Sequence, residues 1–177
     1  SEGYVYEAIT GADREQLPVI FVIQDNGYGI SVPKKDQSAN IDLSDNFSGL
    51  LNLFIKKCDG LDPLASKEAL DLAIEYVRSG RGPAMVYAHC VRIGAHSNSD
   101  RHELYRSVEE LAEAKQSDPL PKFRKFCLDQ GIAESTLQSI EITNGHKHNE
   151  AHDRAMKAPN PDPQSIFKFV CPESWVS

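Results

Sequence analysis

Two short polar stretches hold the residue types that could do chemistry, and each follows an apolar run. The first is "QDNGYG", Gln24 to Gly29, directly after the unbroken apolar run Val19 to Ile23. An Asn side-chain oxygen (Asn26) and a backbone carbonyl (Tyr28) in a Gly-flanked turn are hard, neutral ligands. Joined by an acidic group and phosphate oxygens, they suit magnesium. Gly27 and Gly29 would let the backbone come close to a bound group. The same residues also read as ordinary turn formers that close a strand, and spacing alone leaves both readings open. The second stretch is "RIGAHSNSD", Arg92 to Asp100, reached through His89 and Cys90 from the apolar run Ala84 to Ala88. His96 could act there as a general acid or base near neutral pH, or donate a hydrogen bond to an anionic intermediate. It could equally be an idle residue of a solvated loop. In a third cluster, "HKHNEAHD", His148 and His152 lie one helical turn apart near His146. No Cys or carboxylate completes a compelling ligand set, so solvated surface is the expectation there.

Both main stretches need a rigid frame to bring them together. A run apolar on both faces, such as Val19 to Ile23, is what a parallel sheet covered by helices requires. Before it, residues 1–14 are expected to form a helix with Tyr4, Ala8 and Ala12 along one face, ended by Leu17-Pro18. Lys34 to Asn46 is polar and reads as a loop. A second short strand is expected at Leu53 to Lys57, ending at Asp59-Gly60. The clearest helix runs from about Ser66 to Ser79, with Leu70, Ala73, Ile74 and Val77 on one face, Ser66 as its cap and Gly80 at its C-terminal turn. Strand, helix and then the run Ala84 to Ala88 make a parallel crossover unit. In such sheets ligands bind beyond the carboxyl ends of the strands, which is where both polar stretches fall.

The second half is helical in character. "SVEE", Ser107 to Glu110, reads as a capping box in which the two residues satisfy each other's free backbone donors. Asp118-Pro119 starts another helix that reaches about Gln130 and stops at Gly131. A further helix is expected from about Glu134 to Ala158, with a break at Asn144-Gly145, and then "APNPDPQS" as an extended, proline-stiffened linker. The expected organisation is an α/β domain over residues 1–130, a helical part over 131–158 and an exit segment over 159–177.

Bulk properties narrow the function classes. The 177 residues carry a net charge of -7 with a pI near 5.3, which argues against a nucleic-acid or membrane-surface protein. No apolar run approaches the roughly 18 residues that span a bilayer, and no basic-plus-apolar signal opens the chain. The four cysteines are scattered without a Cys-x-x-Cys pair, which reads as reduced thiols in a cytoplasmic setting. The chain opens at Ser1 in mid-pattern, so an upstream segment is expected.

Taken in order, "SEGYVYEAI…LPVIFVIQDNGYGIS" and "RIGAHSNSD…YRSVEEL…DPLPKFR" resemble the alpha subunit, or alpha part, of the thiamine diphosphate-dependent 2-oxoacid dehydrogenases. The resemblance extends from Ser1 to about Gln130. It implies a thiamine diphosphate-binding fold, and oxidative decarboxylation of a 2-oxoacid with acyl transfer to a lipoyl carrier. It also implies thiamine diphosphate and magnesium as cofactors. Asn26 would correspond to the family's magnesium-binding Asn and Tyr28 to the residue whose carbonyl binds the metal, with Gly29 beside the cofactor. The Gly-Asp-Gly that supplies the acidic ligand in the family would fall just before Ser1. Asp25 stands where the family has another Asn and would bring a negative charge near the diphosphate. His96 corresponds to the active-site-loop His beside the thiazolium, and Tyr105 and Arg106 to residues that order that loop. Ala95 stands where relatives often carry a second His. In related mitochondrial enzymes, phosphorylation of loop serines stops catalysis; a phosphate on Ser97 or Ser99 would add about two negative charges beside His96.

The implied partners are a beta subunit or fused beta part, a lipoyl-bearing acyltransferase component, and further copies in a homo- or hetero-oligomer. Neither nucleic acid nor membrane is expected. "RIGAHS" stands slightly nearer the branched-chain type than the pyruvate type. Other readings are an acetoin dehydrogenase or transketolase type of enzyme sharing the fold, or a non-catalytic structural or interaction module. The apolar residues Ile166, Phe167, Phe169, Val170, Trp175 and Val176 suggest a C-terminal segment that packs on a neighbouring subunit or leads into a fused beta part.

Overall fold

The computed structural model of the protein describes residues 3–168. Its centre is a parallel sheet of three strands, β1 (Ile20–Asp25), β4 (Phe54–Asp59) and β5 (Ala84–His89), in the order β1-β5-β4. Between β1 and β4, the two-residue strands β2 (Tyr28–Gly29) and β3 (Val32–Pro33) form a small antiparallel ribbon. Helix α1 (Gly3–Arg14) precedes the sheet and α2 (Pro63–Arg78) crosses from β4 to β5. Then come α3 (Val108–Gln116), α4 (Pro119–Asp129) and α5 (Glu134–Lys157). The chain is an α/β protein with a parallel sheet flanked by helices and a helical second half, as expected. Two compact units are distinguished, Ser1–Phe126 and Cys127–Ser177. Among the described residues no helix is long and apolar enough to cross a membrane.

The middle strand explains the arrangement. Ala84 to Ala88 are all buried, so β5 must be covered on both faces and paired on both edges. On one face α2 packs Ala69, Ala73 and Val77 against Ala84 and Val86, with Ile20, Phe54 and Cys58 at the margin. On the other, Ile9 of α1 joins Phe47, Leu53 and Met85, with Phe21, Ile23 and Ile55 beside them. The packing row of α2 is thus Ala69, Ala73 and Val77, while the expected Leu70 stands at the helix margin, 36% exposed. On α1 the buried residues are Ile9, Ala12 and Asp13; of the expected face Tyr4, Ala8 and Ala12, only Ala12 is buried, and Tyr4 is 69% exposed. β1 departs from expectation in the same way. It is an edge strand, and Val22 is 53% exposed, because α2 covers β4 and β5 and only grazes β1.

The helix ends show which local signals governed. α1 closes on Gln16, whose φ of 50° is left-handed, with Leu17 N donating to Ala12 O and Gln16 N to Asp13 O. That is a Schellman closure running directly into the Leu17-Pro18 stop. The cap of α2 is Asp62 rather than Ser66: its carboxylate accepts from Leu64 N (2.8 Å) and Ala65 N (3.3 Å), with Pro63 at the first position. Asp-Pro beats Ser because proline sets φ for the first turn and lacks the N–H that would go unsatisfied there. Gly80 closes α2 at φ 73°, and Gly131 follows α4 at φ 84°, both as expected. At Gly60 the requirement is space, since an added Cβ would lie 2.5 Å from Cys90 Sγ and 2.8 Å from His89 O.

Three other stretches are more regular than expected. The polar segment 34–46 contains two 3-10 turns, Lys34–Asp36 and Leu43–Phe47, the second running one residue beyond it. α5 runs unbroken through Asn144-Gly145; an exposed interior glycine costs only about 1 kcal/mol, which a long helix absorbs. None of its 24 residues is buried, and His146, His148 and His152 are exposed. The proline-containing exit is not extended throughout: Asp162 accepts from Gln164 N (3.0 Å) and caps a 3-10 turn, Pro163–Phe167. Ile166 is exposed, while Phe169, Val170, Trp175 and Val176 lie outside the described residues.

Replacing the cap discriminates the two candidates at α2. Asp62→Ala should cost about 1 kcal/mol of unfolding free energy, the usual loss for an N-cap acceptor. Ser66→Ala, measured by the same urea titration, should cost clearly less.

Candidate functional site

The parallel register places the two polar stretches at one edge. Asp25 pairs with His89 at the carboxyl ends of β1 and β5, and Cys90 N donates to Asp25 O at 2.7 Å. From that edge the chain leaves β1 into Asn26–Gly29 and leaves β5 into Arg92–Asp100.

Asn26 folds over its own turn, with Oδ1 accepting from Tyr28 N at 3.1 Å. Gly27, at φ 80°, makes the reversal that a Cβ would hinder. Lys34 N donates to Gly27 O at 2.8 Å, and Tyr28 pairs with Pro33. Peptide groups alternate sides along an antiparallel ribbon, so those of Tyr28 face away from β3. The Asn26 amide oxygen and the Tyr28 carbonyl therefore share one side of the turn. Both are neutral oxygens with a lone pair to spare, so this donor set fits a hard divalent cation. At Gly29 the space above the backbone holds the side-chain amide of Gln37, which donates to Val32 O at 2.7 Å.

Asp25 has partners on both of its carboxylate oxygens. Its Oδ1 accepts from Gly27 N at 3.0 Å. Its Oδ2 accepts from the Lys34 ammonium and from the Tyr87 hydroxyl. Burial disfavours the charged carboxylate, but the bonds from Lys34, Tyr87 and Gly27 outweigh it and hold the group below the usual Asp range. Burial, followed by the bond to Asp25, pushes the Tyr87 phenol well above its ordinary value. A second tier adjoins it. Asp42 lies 3.5 Å from Lys34 and 2.9 Å from Lys57, and Lys57 reaches Asp45 at 2.6 Å. Asp25, Asp42 and His89 offer three potential ligand atoms within 4.8 Å of one another. Two lysine ammonium groups already neutralise those carboxylates, so the trio reads as a salt-bridge network.

His96 is exposed, and its backbone N donates to Asp100 Oδ2 at 2.8 Å. The same carboxylate oxygen accepts from the Tyr105 hydroxyl at 2.6 Å, and that bond, then the one from His96 N, holds Asp100 below the usual range. Tyr105 in turn accepts from Arg92 Nη2 at 2.7 Å. The imidazole thus sits at the rim of a loop whose base is pinned by three side chains. Ser97 and Ser99 are exposed beside it with their hydroxyls 3.2 Å apart.

Glu110 is the residue that sequence reasoning placed differently. As expected, Ser107 Oγ accepts from Glu110 N at 3.1 Å. The Glu110 carboxylate makes no return bond to Ser107 among those resolved. It accepts from Tyr28 Oη at 2.9 and 3.1 Å and from Arg106 Nε at 2.8 Å. Half of the capping box is therefore given over to a contact spanning 82 residues of sequence. Lys34, Asp42, Tyr87 and His89 were also missed. Lys34 and His89 lie at strand ends, Tyr87 within β5 and Asp42 at the start of a 3-10 turn, and their pairing is tertiary.

Comparison with known proteins gives a family. The family model described as "Dehydrogenase E1 component" matches residues 1–164. The chain is 34% identical over 172 residues to a mitochondrial pyruvate dehydrogenase E1 component subunit alpha of Dictyostelium discoideum, covering 96% of this chain and 45% of that protein. It is 33% identical over 171 residues to a 2-oxoisovalerate dehydrogenase subunit alpha of Bacillus subtilis, covering 96% and 52%. It is likewise 33% identical over 175 residues to a 3-methyl-2-oxobutanoate dehydrogenase subunit alpha of Mycobacterium tuberculosis, covering 98% and 47%. The chain spans about half the length of the curated relatives it matches.

The Asp25–Lys34 pair carries a pH signature. The folded Asp25 carboxyl lies below its ordinary value of 3.8, so its stabilisation is present above that pH and is lost as pH falls through the folded value. Lys34→Met should leave the carboxylate buried without its cation and move the acid-unfolding midpoint to higher pH, followed by circular dichroism. Asp25→Asn in the same background should restore much of the loss. The double-mutant cycle should give a coupling of about 1 kcal/mol or more.

Proposed function

This chain belongs to the dehydrogenase E1 component family, and from that premise we propose that it is the diphosphate-binding alpha part of a 2-oxoacid dehydrogenase first component. The intact protein would decarboxylate a 2-oxoacid oxidatively and pass the acyl group to a lipoyl carrier. One observation carries the reading. The Asn26 amide oxygen caps the turn at Tyr28 N, at the same sheet edge from which the His96 loop departs.

Asn26 Oδ1 and the Tyr28 carbonyl would hold magnesium against a diphosphate, with Gly29 beside it. Bound thiamine diphosphate would supply the carbanion and electron-sink chemistry that the side chains lack. The chain's own part is to bind, orient and move protons. Lys34 neutralises Asp25, so the turn brings no net negative charge toward an anionic cofactor. Asp100 and Tyr105 fix the backbone of the loop, so that His96 presents an imidazole able to donate to, or take a proton from, an anionic intermediate at Nδ1 or Nε2.

The relatives' names support pyruvate or the branched-chain 3-methyl-2-oxobutanoate as substrate classes, and "RIGAHS" inclines the reading to the branched-chain type. A beta part, in a second chain or fused, and a lipoyl-bearing acyltransferase are the partners in this reading, within a homo- or hetero-oligomer. The scattered cysteines support a reducing, cytoplasmic setting.

The intact protein should reduce an artificial electron acceptor when given one of pyruvate, 3-methyl-2-oxobutanoate or 2-oxoglutarate. Turnover of none of them would overturn the reading. His96→Ala should lower turnover by about 100-fold with cofactor affinity nearly unchanged. Asn26→Ala should instead weaken cofactor binding in calorimetry, with partial rescue by added magnesium.

A further inference from the structure

We propose that Glu110 is a positioning residue that clamps the Asn26–Gly29 turn to the His96 loop through the Tyr28 phenol, so that the two segments order together. The clamp's consequence for cofactor binding rests on the functional reading above; the clamp itself does not.

Glu110 sits in the first turn of α3, where a carboxylate commonly bonds back to the cap residue. Ser107 caps this helix through its hydroxyl, which leaves the Glu110 side chain available for another task. Both of its oxygens meet the Tyr28 hydroxyl, and one also accepts from Arg106 Nε. Arg106 is only 5% exposed and needs that carboxylate, because a buried guanidinium without a counter-charge is strongly unfavourable. Its Nη1 donates to Arg92 O at 2.7 Å, which ties the clamp to the start of the His96 loop.

Tyr28 is held a second way. Its ring has the guanidinium of Arg92 at 5.2 Å and that of Arg106 at 5.3 Å from its centroid, both within cation–π range. Arg92 Nη1 also donates to Ile30 O at 2.7 Å. Ile30 has φ 58°, a left-handed conformation costly for a β-branched residue and kept only where its surroundings hold it. The remaining steps, Arg92 to Tyr105, Tyr105 to Asp100 and His96 N to Asp100, complete an unbroken path. At the other end, Tyr28 N donates to Asn26 Oδ1, so displacing Tyr28 frees Asn26.

Hydrogen exchange on the intact protein without cofactor tests the clamp. In Glu110→Ala, amides of residues 26–32 and 92–106 should both exchange faster, by about tenfold, while β4 and β5 stay unchanged. Tyr28→Phe, which deletes one oxygen, should loosen the same two segments, and it decides the matter should Glu110→Ala not fold. Ser107→Ala should loosen only the first turn of α3. Calorimetry with thiamine diphosphate and magnesium should show both clamp variants binding about tenfold more weakly, a usual loss when a group orienting metal ligands is removed. Exchange that rises in α3 alone, or in only one of the two segments, would overturn the clamp. If the unaltered protein failed to bind thiamine diphosphate, the functional reading would fall, and the cofactor-free exchange would still decide the clamp.

Discussion

Everything at the functional edge depends on the burial of β5. A strand with five consecutive buried residues, Ala84 to Ala88, cannot tolerate solvent on either face, and its backbone needs partners on both edges. β1 and β4 supply the edges, and α1 with the Phe47 region on one side and α2 on the other supply the faces. The small residues Ala69, Ala73 and Ala84 permit the close packing of α2 on the sheet. Because the pairing is parallel, residues in register leave the sheet at the same end. Asp25 and His89 therefore finish side by side, and the two polar segments start from one rim.

Charge then organises that rim. The strand period of two sends Asp25, Tyr87 and His89 to the side where Lys34, Asp42 and Lys57 gather. The following residue, Asn26, bonds to Tyr28 N on the opposite side of the turn from the ribbon contact between Lys34 and Gly27. Ionised groups are thus matched among themselves on one side, and neutral oxygens are presented on the other. A second set of matched charges, Arg92, Arg106, Glu110 and Asp100, lies around Tyr28 and Tyr105. In an acidic chain of net charge -7, these two networks place cations beside the carboxylates that the fold brings near the site.

How much of this was legible varied with the range of the interaction. The strand ends at Asp25 and His89 side, the glycine stops at Gly80 and Gly131, and the Ser107 cap all depend on chemistry within a few residues, and they appear where their local signals put them. The cap of α2 at Asp62 was also local, but two acceptors competed and the proline beside one decided. Helix faces were less legible. Tyr4 and Ala8 fit a helical stripe as well as Val5 and Ile9 do, and only the position of Phe47 and Met85 selects the second pair. Asp25 was identified as unusual from sequence, yet its neutralisation by Lys34 and Tyr87 was not, because Tyr87 lies 62 residues away.

By itself the sequence determined the α/β class, the main strands and helices, and the placing of the polar stretches "QDNGYG" and "RIGAHSNSD" after apolar runs, while the resemblance to a family singled out Asn26, Tyr28 and His96 within them. The class and the elements follow from periodicity, turn chemistry and residue type, all of which act over short stretches of chain. Only the tertiary structure decided that Asp25 pairs with Lys34 and Tyr87, and that Glu110 leaves its capping box to hold Tyr28 and Arg106. A buried carboxylate or guanidinium binds whichever opposite charge the packing brings within about 3 Å, and sequence distance places no limit on that choice.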